Sequence, residues 1–367
     1  MPAALLETPL QFEPIFKEKI WGGSALSAVL GKRVPPGAVV GESWELSGVA
    51  GNESVSISNP CRGKTLPQIV AADPEAIVGA LPRYRGFPLL FKFIDAHAKL
   101  SVQVHPDDAQ AKALGYGEFG KSECWYIIDA QPGAQVVCGF AHGVSRDDVH
   151  SAAASKNILP LLNYIPVSPG DVIFVPGRTV HAVLGGVLFY EVQETADTTF
   201  RLFDWDRLDK DGKPRALHIR ESLEILDTTW HDFHKIPPVV AERTDMFTRS
   251  FLVASRHFAL EEYRFRSAAE IPLPVKRSFK VITICEGPVR LLHNGSVSTL
   301  AKGETVLVPA RLSGLHAAAD AGAQFLLSSV PELIFEVVAP LSVKGVSQGA
   351  IVRLGGNPAT SDLAVLV

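Results

Sequence analysis

The chain is poor in cysteine and lacks long runs of any one character. Its four cysteines, Cys61, Cys124, Cys138 and Cys285, show neither CxxC spacing nor the density of a disulfide scaffold. That usage suits a reducing compartment, so a cytoplasmic protein is expected. Like charges are not blocked together: 35 basic and 39 acidic residues are interspersed and leave a net charge of −4. Such a surface has no stripe with which to neutralise a phosphate backbone or dock on anionic lipid, so no nucleic acid and no membrane is expected as partner. No run of about 18 apolar residues occurs. The opening MPAALLETPLQFEP has neither a basic start nor a continuous apolar stretch, so no leader is expected.

What is present is a succession of short β patterns. The 367 residues exceed the usual size of one hydrophobic core, so two packed domains are expected. PLLFKFIDA, LSVQVH, CWYIID, GDVIFVP, TVHAVL, VLFYEVQE and TTFRLFDW are rich in Val, Ile, Phe and Leu and are bounded by Gly, Pro and Asp, which reads as strands. Their close spacing favours a sandwich or jelly roll over alternating βαβ units. SRDDVHSAAASKNILPLLNYI reads as a helix capped by Ser145, with Asp147 and Asp148 in its first turn and Pro160 near its end. ALHIRESLEILD reads as a second helix. From about residue 250 the β pattern resumes with HFALEEYRF, FKVITICEGPVRLLHN and GETVLVPA. GDVIFVP and GETVLVP share a Gly, an apolar run and a Pro at the same offset, which suggests two related barrels.

The chemistry concentrates in three segments. In LSVQVHPDD, Ser101, Gln103 and His105 alternate with Val102 and Val104, so the polar three share one strand face. In KSECWYII, Lys121 and Glu123 share a face. In GDVIFVPGRTVHAV, His181 follows a Pro-Gly turn onto a strand. A lone strand histidine is ordinarily a hydrogen-bonded structural residue. A glutamate in an otherwise apolar strand, however, costs several kcal/mol unless it is paired or binds a metal, so Glu123 needs a cationic partner. Two imidazoles, a carboxylate and an amide oxygen suit Zn²⁺ with one position left open. Strand spacing alone does not bring the four together.

These residues resemble the cupin metal site, whose second motif, Gly-x5-Pro followed by His, is matched by Gly170, Pro176 and His181. The first motif departs from the generic form, with Gln103 where many cupins have His and a long insertion between His105 and Glu123. Both departures are features of the type I mannose-6-phosphate isomerases in their short bacterial form. The chain resembles that family also in WGGSAL, GESWELSG, PLLFKFIDAHAKLSVQVHPDD and DTTFRLFDWDR, in the family's order over about the first 210 residues. The resemblance implies a mainly β fold of two cupin (jelly-roll) barrels with a small helical insertion. Residues 1–206 are expected to form the metal-binding barrel, 207–247 a helical linker and 248–367 a degenerate second barrel.

It implies further that Gln103, His105, Glu123 and His181 hold one zinc ion per chain. Arg201 matches the family's active-site arginine, and Glu191, Lys121 and Ser101 match positions lining the same cavity. On that reading the substrate is a small sugar phosphate, mannose 6-phosphate interconverted with fructose 6-phosphate. Arg201 stabilises enediolate charge, Glu191 or Lys121 carries the proton, and Lys121 grips the phosphate; a metal-assisted hydride shift between C1 and C2 stands as the alternative to the proton transfer. Three bland readings stand beside these: Glu191 as a solvated strand residue, and Arg201 and Lys121 as plain surface charges. Trp21 and Trp44 are expected to pack the first strands over the barrel without touching sugar. His97, His142, His150 and His293 are expected to be structural or exposed. The second barrel, with Gly314 at the offset where its histidine would fall, is expected to bind no metal. An iron-dependent cupin oxygenase and a sugar-binding cupin without turnover remain alternative functions, because a fold does not fix a chemistry.

Overall fold

The computed structural model describes residues 8–209, 211–229 and 235–367. Every segment read above as a strand forms one, and the strands assemble into four antiparallel sheets. The first has six strands in the spatial order Ile15–Gly23, Val40–Leu46, Leu89–Ala96, Val187–Glu194, Glu123–Ala130 and Val172–Val175. Facing it is a five-stranded sheet ordered Phe200–Phe203, Val102–Val104, His181–Val183, Gln135–Phe140 and Leu162–Pro166. A seven-stranded and a four-stranded sheet form a second facing pair, built from chain beyond Val239 together with the short strand Leu10–Gln11, which pairs with Thr305–Val308. None of the four sheets closes on itself, so the expected barrels are flattened into pairs of facing sheets.

Alternation along the strands sorts side chains into layers. Phe91, Phe93, Tyr190 and Val192 leave the six-stranded sheet on its outer face and meet Phe251, Leu260, Val281 and Leu326 of the seven-stranded sheet in one continuous core. Ile94, Trp125, Ile127 and Phe189 leave the inner face and pack against Val136, Cys138, Ile165 and Val183 of the five-stranded sheet. The outer face of that sheet, with Val102, Val104, Phe140 and Leu202, is covered by Val149 and Ile225 from the two helices. Tyr263, Ile282 and Phe325 pack against Ile271, Val289 and Leu291 between the last two sheets.

The helix capped by Ser145 forms, with a capping box to Asp148, but it ends at Ala154. Lys156 turns into the left-handed region at φ 56°, and Leu162–Pro166, expected as the end of that helix, is a strand. Burial here, with Leu162 and Ile165 inside and Tyr164 outside, suits a helix as well as a strand, and it is pairing with Gln135–Phe140 that overrides the helical reading. The second helix spans Ile219–Ile225. Within 207–247 the chain also supplies the edge strand Val239–Arg243, while positions 210 and 230–234 of that stretch, like residues 1–7 of the chain start, lie outside the described residues. No helix among the described residues is long and apolar enough to cross a membrane.

Candidate active site

Register between strands builds the site. In the five-stranded sheet Arg201 and His181 both lie opposite Gln103, which aligns the three in one row across adjacent strands. In the six-stranded sheet Glu191 lies between Lys92 and Trp125, and Trp44 lies opposite Lys92. The rows face one another across a cavity of roughly 170 Å³, which Ser101, Lys121, Glu123 and Thr199 also line. All eight residues singled out from the sequence are therefore brought together: seven line the cavity and His105 sits against its Glu123 wall.

The insertion after His105 returns the chain to the same spot. It forms the short helix Asp108–Ala113, capped by Asp107, and Lys121 N–H then donates to the Pro106 carbonyl at 3.0 Å. Two glycines make this return possible. A Cβ on Gly120 would stand 2.4 Å from the Asp107 backbone, and one on Gly177, in the turn before His181, 2.9 Å from it.

The cluster of His105, Glu123 and His181 is wholly buried, and its donor atoms lie within 4.8 Å of one another. Each imidazole donates Nδ1–H to a main-chain carbonyl, His105 to Thr198 and His181 to Thr179, both at 2.8 Å. Each Nε2 is thereby left as a lone pair turned inward, the usual arrangement behind a metal-bound histidine. Burial, then Lys121, pushes His105 down to about 3, and burial lowers His181 as well, so both rings are neutral. Burial alone would raise Glu123, but the Lys121 ammonium holds it well below the usual carboxylate range. His105 Nε2 lies 2.7 Å from Glu123 Oε1, and that oxygen has no well-directed hydrogen bond. A lone pair and a carboxylate oxygen so close repel one another unless positive charge lies between them, and this donor set fits a divalent metal. Lys121 Nζ, 2.8 Å from the same oxygen, supplies part of that charge. Gln103 borders the cluster, with Nε2 3.2 Å from His181 Nε2 and its oxygen accepting from Ser101 at 3.1 Å. A half-turn of the amide would bring the oxygen inward.

A second group, Asp108, Glu194 and His257, also brings its donor atoms within 4.8 Å. There Asp108 is already in an ion pair with Arg83. In the second pair of sheets Gly314 takes a left-handed φ of 68°, and His316 pairs with Glu270 at 2.9 Å.

Beside Glu123 on the six-stranded sheet, Glu191 is buried and its Oε2 lies 3.1 Å from Lys92 Nζ. Trp125 Nε1–H spans Glu191 and Glu123, at 3.1 and 3.2 Å. Burial, with Lys92 opposing and Glu123 adding, pushes Glu191 up to about 7. Glu191 is thus no solvated strand residue. Truncating one member of such a pair leaves the other charge buried, so Lys92→Met is expected to lower unfolding free energy by about 3 kcal/mol. Adding Glu191→Gln should restore much of it; urea unfolding of the two single variants and the double variant measures the coupling.

Arg201 lines the cavity with Thr199, and its Nη1 donates to the Ala216 carbonyl at 2.7 Å while Nε is buried without a partner. Trp21 and Trp44, expected to serve only as packing, both line the cavity. They sit on the inward-facing side of their strands, and Trp44 is held there by Lys17 and Lys92 over its ring and by Glu42, which accepts its Nε1–H at 2.6 Å. Lys19, Glu42, Lys92, Asp197 and Arg215 also line the cavity and were not singled out from the sequence. For Lys92 the signal was there: a lysine inside PLLFKFIDA poses the same buried-charge problem as Glu123. His97, His142, His150 and His293 stand outside the cavity.

A sandwich of facing antiparallel sheets with two histidines and a glutamate buried between them is the architecture of a cupin enzyme with a candidate metal centre. Residues 10–131 match the family model for the phosphomannose isomerase type I catalytic domain. ManA, a mannose-6-phosphate isomerase of Bacillus subtilis, is 35% identical over 304 residues, covering 82% of this chain and 93% of its own. The crystal structure of a mannose 6-phosphate isomerase from the same organism superposes with a TM-score of 0.80 at 31% identity, covering 88% of this chain and 99% of that one. In fold alone, a mannose 6-phosphate isomerase crystallised with zinc and yttrium is also similar, with a TM-score of 0.69 at 16% identity over 88% of this chain and 99% of its own. The chain belongs to the type I mannose-6-phosphate isomerase family.

Proposed function

We propose that the protein interconverts mannose 6-phosphate and fructose 6-phosphate with one zinc ion per chain, held by His105, Glu123, His181 and the Gln103 amide. The observation carrying this reading is the meeting of two inward-facing imidazole lone pairs with the buried carboxylate of Glu123, which shares its sheet and the Trp125 N–H with the Glu191–Lys92 pair. Bound there, the metal would supply Lewis-acid stabilisation of charge developing on the sugar's carbonyl oxygens. Glu191, raised towards neutrality and lining the cavity, is placed to take and return the proton moved between C1 and C2. Lys92 keeps Glu191 oriented and tempers its rise. Arg201, anchored through Ala216, presents its remaining donors to the enediolate oxygens. Ser101 orients the Gln103 amide. On this reading the chemistry belongs to the first barrel expected from the sequence, residues 1–206, completed by Arg215 and the Ala216 carbonyl from the segment that follows.

Lys121 calls for a different role from the phosphate grip. Its ammonium is 2.8 Å from Glu123 and 3.1 Å from His105, at the reacting end of the cavity. The better exposed cations of the cavity, Lys19 and Arg215, are left for the phosphate. Lys121→Gln is accordingly expected to lower kcat/KM for mannose 6-phosphate and for plain mannose by similar factors. A loss confined to the phosphorylated sugar would return Lys121 to the phosphate.

The test of the whole reading is a coupled assay on purified protein with mannose 6-phosphate, before and after chelation and after zinc is restored. Turnover that chelation abolishes and zinc recovers supports it. Bound iron without isomerase turnover would favour the oxygenase reading, and sugar-phosphate binding without turnover a binding protein.

A further inference from the structure

Behind the substrate cavity lies a second one, of roughly 330 Å³, within the size range of small-ligand pockets. It is framed by the helix Arg146–Ala154, by the outer face of the strand Phe200–Phe203 and by the segment leading to Ile219. Ile158, Leu202, Pro214 and Leu217 give it apolar walls, and Leu217 remains 41% exposed although it is a large hydrophobic residue. Lys156, Arg207 and Arg215 stand against Asp204 and Asp206 on its polar side. Asp204 is consumed by two of the cations: Arg215 donates to both its oxygens, at 2.8 and 2.5 Å, and Arg207 to one, at 2.6 Å. The balance of formal charge on this wall is positive.

Arg215 lines both cavities, so the Asp204–Arg215 pair is the partition between them. The turn that carries the partition is strained. Trp205 and Asp206, neither of them glycine, are consecutive left-handed residues at φ 59° and 51°. Such conformations persist only where surrounding contacts impose them, and they cluster at ligand clamps and switches. Here the contacts include Trp205 Nε1–H on the Leu100 carbonyl at 2.7 Å, and Leu100 in turn lines the substrate cavity.

We infer that this second cavity binds an amphiphilic organic anion, an apolar ring or chain bearing a carboxylate, sulfonate or phosphate, and that its occupancy antagonises sugar-phosphate binding through Arg215. The apolar part fills the space beside Leu217, Ile158 and Leu202. The anionic group competes for Arg215, whose guanidinium cannot serve an anion on each side of the partition equally well. By linkage each ligand weakens the other by the same factor. The antagonism rests on the reading of Arg215 as a phosphate-side cation; the binding itself does not.

The test uses the full-length, zinc-loaded protein and 8-anilinonaphthalene-1-sulfonate as probe. Fluorescence titration is expected to show saturable binding of one equivalent, weakened at least about tenfold in Leu217→Glu, which sets a carboxylate on the apolar wall and leaves kcat and KM without probe unchanged. Leu217→Ser is the second variant should the glutamate impair folding, and it should weaken the probe in the same direction. Saturating mannose 6-phosphate is expected to weaken probe binding at least about fivefold, within the usual range of coupling between sites. Probe affinity unchanged in a folded Leu217 variant, or undisturbed by saturating mannose 6-phosphate, overturns the inference. Absent isomerase turnover with the Leu217-sensitive probe site intact would sink the functional reading alone.

Discussion

His105→Ala is expected to leave a folded protein that binds no metal at this centre and turns over mannose 6-phosphate on the order of 10³-fold more slowly, as befits losing several kcal/mol of Lewis-acid stabilisation. The His105 ring is engaged at both nitrogens. Its Nδ1 is committed to Thr198 and its Nε2 faces Glu123, so the alanine variant removes a donor aimed at the centre and leaves that carboxylate to Lys121 and the Trp125 N–H. The Lys121 ion pair then satisfies the glutamate well enough for the fold to survive. Metal analysis should fall from one equivalent per chain to near zero. Metal content unchanged in the variant would remove His105 from the ligand set, and a wild-type stoichiometry near two would direct attention to Asp108, Glu194 and His257.

Arg201→Ala should behave in the opposite way, keeping its metal while losing turnover. The guanidinium is positioned by the Ala216 carbonyl and its buried Nε is unused in the protein, so donor capacity is held in reserve for a ligand. Burial and the neighbouring Arg215 work against its charge, which makes an approaching oxyanion its most favourable partner. Loss of one such preorganised donor costs on the order of 10²- to 10³-fold in kcat, with a smaller change in KM. Arg201→Lys should not rescue it, because a compact ammonium cannot hold Ala216 and serve the substrate in the same geometry. Bound zinc, kcat and KM measured on one preparation decide the matter; near-normal turnover with metal in place would take Arg201 out of the catalytic set.

Much of this site was legible in the chain because strands write their faces in alternate letters. Ser101, Gln103 and His105 announced one face, and Glu123 was a charge that an apolar strand does not carry without a partner. The same reasoning reaches Lys92 and, in GESWELSG, Glu42 beside Trp44, both of which line the cavity. Other parts carried no letter. The carbonyls of Thr198 and Thr179, which fix both imidazoles, are main-chain atoms that every residue has. Arg215 arrives from an irregular segment with no period to reveal its direction. The alignment of Arg201, Gln103 and His181 is a matter of register between strands far apart in sequence. The overlong helix after Ser145 failed for a local reason: Leu162–Pro166 is too short a pattern to be told from a helix end until its neighbour Gln135–Phe140 is known.

Tyr190 and Glu191 are consecutive on one strand and face opposite ways. Glu191 enters the cavity, while the Tyr190 ring is buried in the adjoining core with its hydroxyl 3.0 Å from Thr283 Oγ1 on the seven-stranded sheet. That second sheet contributes no side chain to the cavity, yet it is the backing against which the strand is pressed. Drift in the back half of the gene is therefore not silent for the front half. A lesion at Thr283 is expected to lower turnover through the strand that carries Glu191, although it lies a full sheet away from the cavity.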